Sequence, residues 1–280
     1  MMDLWYEICD FLPIEMLHWK FMQNAFLAVL IIAPLFGLTS TMVVTGRMSF
    51  FSDALGHSAF TGIAIGAIFG IFDPNLVSVL FALLFALTFS YIKSKSNQTA
   101  DTLIGVFSST AVALGVFAAT FNGGSFTKFN KYLIGDILSV TPTEIGILAI
   151  VLICVLALWS VISNHLTLSI IYPQLASSRG VKTNLVQTVF TAAIAVIVTL
   201  SISKVGLLML NSLMVLPAAI SRNLSKNLKQ YHCCSILAAF TASVLGLCVS
   251  YYWGSSAGAS ISLLLSVFFI ISLIIRKVIK

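Results

Sequence analysis

The sequence predicts an all-α fold, a polytopic transmembrane helical bundle of about eight or nine spans. Three observations carry this expectation. Of the 280 residues, 59% are apolar and only 9% charged, and the mean hydropathy is +1.05, whereas about a quarter of an ordinary soluble domain is charged. Apolar segments follow one another from residue 21 to 275 with only short polar joints, so residues 21–280 read as one membrane domain behind an N-terminal segment, 1–20. The Lys and Arg residues, which give a net charge of +6, are scattered over short loops rather than gathered into a stripe that would grip nucleic acid.

Taken in order, the first twenty residues, MMDLWYEICDFLPIEMLHWK, lack the positive start and small-residue cleavage site of a signal peptide. They read as an interfacial segment, with His18 among Trp5, Tyr6 and Trp19 in an aromatic belt. A span requires roughly 17–25 apolar residues, which places helices near 21–45, 51–71, 75–92, 101–121, 143–164, 185–203, 205–221, 234–252 and 257–275. Only Lys204 and Gly206 split the sixth from the seventh, and YLIGDILSV at 132–140 is a candidate re-entrant helix. Asp101 is expected to cap the fourth span, and Pro217 to kink the seventh. Between the fifth and sixth lies HLTLSIIYPQLASSRGVKTNL, 165–185. Pro173 suits a first helical turn and Gly180 a C-terminal cap, so 173–180 reads either as a short helix lying across the inner face or as a solvated loop.

Positive residues are retained in the cytoplasm. One set of loops carries Arg47, Lys93, Lys95, Arg179, Lys182, Arg222, Lys226, Lys229, Arg276, Lys277 and Lys280, eleven in all, and the other only Lys20, Lys128, Lys131 and Lys204. The N-terminus is therefore expected outside and the C-terminus inside the cell membrane.

The chemistry concentrates in GRMSFFSDALGHSAFTGIAIGAIFG, 46–70. Acids and imidazoles inside a membrane are costly, about 2.5–3.5 kcal/mol for a central Asp, and mark functional sites or paired groups. Asp53 and His57 lie four apart and share a helix face. Together they offer half of a four-ligand metal shell of the kind that suits zinc, or manganese and iron when oxygen-rich. Two copies across a two-fold axis would complete it. Ser58, Gly62, Gly66 and Gly70 form a second face suited to close helix packing. The plainer reading is that Asp53 caps the helix and His57 hydrogen-bonds within the bundle.

Other candidates are fewer. Asp136 sits in an apolar run and, with Asn211 and Ser212 beside the Pro217 kink, could line a translocation path. His232, Cys233 and Cys234 resemble soft metal ligands but lack a second pair at zinc-site spacing. The five cysteines are an odd set that suggests no disulfide framework. There is no G-x-x-x-x-G-K-[ST], H-E-x-x-H or G-x-S-x-G, so an enzyme reading finds little support, and if ATP drives the protein another chain binds it.

The segments RMSFFSDALGHSAFTGIAIG, TADTLIGVFSS, KYLIGDILSVTP, YPQLASSRGV, KVGLLMLNSLMVLPAAISRNLSKN and SSAGASISLLLSV occur in this order. The series closely resembles the membrane-spanning permease subunit of metal-ion ABC importers, the zinc and manganese uptake family, over about residues 21–275. The resemblance implies a type II-like importer permease: two permease chains, two cytoplasmic ATPase chains and an external metal-binding protein. It implies that Asp53 and His57, in the family's D-A-x-x-H segment, meet the metal in the path. It also implies that Pro173, Gln174, Leu175, Ala176 and Gly180, in a coupling helix at 173–181, dock on the ATPase. SSRG before Val181 departs from the family's usual aliphatic or acidic residues. No permanently bound cofactor is expected, only the transported ion, zinc or manganese, with iron also compatible. The alternative is a stand-alone carrier relaying protons through Asp53, Asp136 and His57; an intramembrane zinc enzyme lacks a third ligand and a general base.

Overall fold

The computed structural model describes residues 5–7, 9, 15–69, 73–120 and 135–279. Within them the chain forms α1 (Lys20–Thr45), α2 (Phe51–Phe69), α3 (Pro74–Lys95), α4 (Ala100–Thr120), α5 (Pro142–Ile171), the short α6 (Pro173–Ser178), α7 (Thr183–Val205), α8 (Leu207–Leu224), α9 (Leu228–Trp253) and α10 (Ala257–Ile279). Eight of these helices are long and apolar enough to cross a membrane. The remaining long one, α2, has 19 residues and carries Ser52, Asp53, His57, Ser58 and Thr61 among its apolar ones. The predicted spans thus all exist as helices, and α2 is the one that bears the acid and the imidazole.

Helix ends follow local chemistry. Asp73 caps α3, accepting from the Asn75 N–H at 3.0 Å ahead of Pro74 at the first helical position. The fourth span is capped not by Asp101 but by Thr99, whose Oγ1 accepts from the Thr102 N–H at 3.3 Å; Asp101 lies exposed in the first turn. A side-chain cap opens α5, where Glu144 Oε2 accepts from the Thr141 N–H at 2.8 Å. That helix runs seven residues past the expected end at 164. The polar residues there do not break it, because Thr167 donates to Ser163 O at 2.7 Å and Ser169 to Leu166 O at 2.8 Å, keeping the hydroxyls on their own helix. A single residue, Gly206 at φ +82°, separates α7 from α8. Of the candidate re-entrant helix, 135–140 is only a three-residue 3-10 turn, Ile137–Ser139; residues 132–134 lie outside the described residues. Helix α8 runs through Pro217 without a break in its assignment.

The chain divides into two compact units, with boundaries inside α1, between Thr41 and Met42, and inside α5, between Cys154 and Val155. One comprises residues 1–41, 136–154 and 204–280, the other 42–135 and 155–203. In the first, α8, α9 and α10 pack on one another. The N-terminal segment folds onto α1, where the Trp5 indole N–H donates to Gln23 O at 3.1 Å, Tyr6 donates to Asn24 at 3.0 Å, and Met16 and Leu17 are buried. In the second, α2 packs against α3 and α4.

Candidate functional site

The α1–α2 connection brings the chain into the site. Met48 N–H bonds to Val43 O at 2.9 Å and Arg47 N–H to Val44 O at 3.2 Å, the paired reverse bonds that end a helix with a left-handed residue. That residue is Arg47, at φ +54°, where glycine would be the unstrained choice. The turn delivers α2 with Asp53 in its first turn, where the exposed backbone N–H groups favour a negative charge.

The buried face of α2 is fixed by contacts to both neighbours. A Cβ at Gly62 would lie 2.6 Å from Ser78 Cα on α3, so only glycine permits this approach. Ser78 donates to Ala59 O at 3.0 Å, and Thr61 donates to Ala111 O on α4 at 2.7 Å. From the other side, Gly115 on α4 leaves room for Phe60 and Thr61, whose atoms would lie 2.7 Å from an added Cβ. Ser58 is fully buried. These contacts leave Asp53 and His57 together on the remaining face. His57 Nε2 lies 3.6 Å from Asp53 Oδ2, and the side chains keep 26% and 39% of their surface. The distance is beyond a hydrogen bond and within reach of a shared ligand or a bridging water.

The Asp53–His57 pair predicted from spacing is therefore a spatial pair. Among the described residues no third His, Cys, Asp or Glu joins it or any other such group. Asp136, Asn211 and Ser212 belong to the other unit. Asp136 is exposed and accepts from the Leu138 N–H at 3.0 Å, capping its 3-10 turn, and Ser212 donates to Leu208 O and Ser262 Oγ, each at 2.9 Å. His232 Nδ1 lies 2.9 Å from Thr41 Oγ1; Thr41 itself donates to Leu38 O, which makes the imidazole nitrogen the donor of that pair. Cys154, Cys233, Cys234 and Cys248 are free thiols.

The short helix expected over 173–180 is α6. Pro173 stands at its first position, the Gly180 N–H bonds to Ser177 O and the Val181 N–H to Ala176 O, both at 3.0 Å, with Gly180 at φ +74°. Ala176 is buried, while Pro173, Gln174 and Leu175 are exposed. Sequence reasoning missed the half-buried ion pair of Glu144 with Lys204, which joins the start of α5 to the end of α7. The signal available was T-P-T-E, the capping pattern that orients Glu144.

Fold and composition together define a multi-pass helical membrane protein. A profile of the ABC 3 transport family matches residues 18–276, and the chain belongs to that family. It is 30% identical to the manganese import system permease protein ScaB of Streptococcus gordonii over 94% of each chain. It is 28% identical to the high-affinity zinc uptake system membrane protein ZnuB of Haemophilus influenzae, over 89% of this chain and 93% of that one. Its structure is similar to that of PsaBC from Streptococcus pneumoniae in complex with Fab, with a TM-score of 0.78 at 28% identity, covering 97% of this chain and 95% of that one.

Proposed function

We propose that this chain is the permease of an ATP-driven importer of a divalent transition metal, zinc or manganese, and that Asp53 and His57 hold the ion briefly on its way through. The observation that carries the reading is the pair itself: a carboxylate and an imidazole 3.6 Å apart, partly open, on a long apolar helix. Membership of the ABC 3 transport family and the named substrates of ScaB and ZnuB support the cargo class. Oxygen and nitrogen donors suit both ions.

Two ligands are half of a four-coordinate shell, so the path is formed by two copies of the chain, each contributing one pair. A shell shared between two copies also suits transport, since it can open when they move, whereas a permanently closed one would retain the ion. The 173–181 segment docks on a cytoplasmic ATPase, with exposed Pro173, Gln174 and Leu175 as contact residues and Ala176 and Gly180 fixing the turn that presents them. ATP binding and hydrolysis there bias the bundle between outward- and inward-facing arrangements, and an external metal-binding protein delivers the ion. Asp136, Asn211 and Ser212 remain secondary path candidates. The Lys and Arg asymmetry puts the C-terminus in the cytoplasm, and a crossing by α2 puts the N-terminus outside. A proton-coupled carrier working alone is not favoured by membership of an ABC family.

The test is metal uptake by vesicles holding the chain with its ATPase and binding protein, for wild type, Asp53→Ala and His57→Ala. Loss of about tenfold or more in zinc or manganese uptake, at unchanged assembly and ATP hydrolysis, is expected from removing one of two ligands per chain. Uptake that persists in both variants would make the pair structural.

A further inference from the structure

A second polar feature lies beside the turn that leads into α2. Where α3 ends and α7 begins, Ser90, Lys93, Ser94, Asn184, Gln187 and Thr191 line a cavity of about 200 Å³. Lys93 is half-buried there, with its ammonium 3.6 Å from Met48 Sδ, and makes no ion pair among the described residues. An ammonium withdrawn from water without an anion is unfavourable. The hydroxyls around it are already committed as donors: Ser94 to Tyr91 O at 2.8 Å and Thr191 to Gln187 O at 2.7 Å, while Ser90 and Thr188 share a bond of 2.6 Å. The donors left to face the cavity are Lys93 and the side-chain amides of Asn184 and Gln187, the latter holding only a 3.4 Å contact to Ser169 O.

We infer that this cavity binds a phosphoryl oxyanion. A tetrahedral group offers several oxygens to donors that converge from two helices, one of them charged, where a planar carboxylate would meet fewer. The first turn of α7 adds its N-terminal partial positive charge on the same side. The surroundings suit the phosphate of a lipid headgroup. Tyr91 is exposed with the Lys95 ammonium 5.1 Å over its ring, an arrangement typical of a membrane interface, and Leu80, Leu84 and Leu87 form an exposed apolar stripe along α3 that leads away from the cavity. Dissolved phosphate shares the same chemistry.

The site lies apart from Asp53 and His57 in sequence and chemistry, so it stands or falls independently of the proposed cargo. The full-length chain in detergent is titrated with phosphatidylglycerol, with diacylglycerol and with inorganic phosphate, reading retention by native mass spectrometry and thermal stability. The variants are Lys93→Met, Lys93→Arg and Asn184→Ala/Gln187→Ala. Retention of phosphatidylglycerol but not diacylglycerol, falling about tenfold in Lys93→Met and recovering in Lys93→Arg, assigns the site to a lipid headgroup. Stabilisation by inorganic phosphate with the same dependence on Lys93 assigns it to the free anion. Equal binding by wild type and Lys93→Met, or no phosphate-bearing ligand retained, overturns the inference. If Lys93→Met fails to fold, the double amide variant decides, and its wild-type retention would overturn the site equally.

Discussion

The α2–α3–α4 and α8–α9–α10 groupings are both closed by glycines that a side chain would clash with, Gly62 against Ser78 of α3 and Gly246 against Ile261 of α10. They treat polar groups differently. In the second grouping several hydroxyls are satisfied within the bundle: Ser212 to Ser262 at 2.9 Å, Ser250 to Ser255 O at 2.5 Å, Ser255 with Ser260 at 2.8 Å. Such groups stabilise helix packing and have little capacity left for a ligand. In the first, hydroxyls again do the packing, through Thr61 and Ser78, but an ionisable pair is added on a face that packing leaves partly open. Hydroxyls close helices together in both; α2 adds a carboxylate and an imidazole side by side on one face.

Substitutions break or sharpen this contrast. Gly62→Val and Gly246→Val each force a side chain into backbone and should each destabilise by on the order of 2–3 kcal/mol, read by thermal or denaturant unfolding in detergent. Per folded complex only Gly62→Val should also depress metal uptake, because α2 must shift. Equal uptake by the two would separate the site from the packing of α2. Next in size are the helix ends. Gly180→Ala should cost about 1 kcal/mol and Arg47→Gly should gain a similar amount, since both positions have positive φ and only one holds glycine. Smallest is Gly105→Ala on α4, where an added Cβ meets nothing within 4 Å; a gain of about 0.5–1 kcal/mol is expected. A loss there would point to a neighbour beyond this chain.

What the sequence made legible was set by residues whose chemistry is local. Pro173 and Gly180 specify their ends of α6 by φ alone, and Asp53 with His57 four apart must share a face once the segment is helical. The failures came where polar residues have two uses. Thr99 and Asp101 can each cap a helix, and only the backbone path chose Thr99. Thr167 and Ser169 looked like the start of a loop, yet bond back to their own helix and let α5 continue. Glu144 and Lys204 are 60 residues apart, and no local pattern pairs them. Arg47 in a left-handed turn gave no signal, because sequence marks that conformation by glycine.

The most direct measurement is zinc and manganese titration of the purified permease, with bound metal counted per chain and the first shell read by X-ray absorption, for wild type and His57→Ala. The account predicts roughly one ion per two chains in wild type with imidazole nitrogen in its shell, and loss of that ion in the variant. Unchanged metal content and an unchanged nitrogen shell in His57→Ala would contradict it.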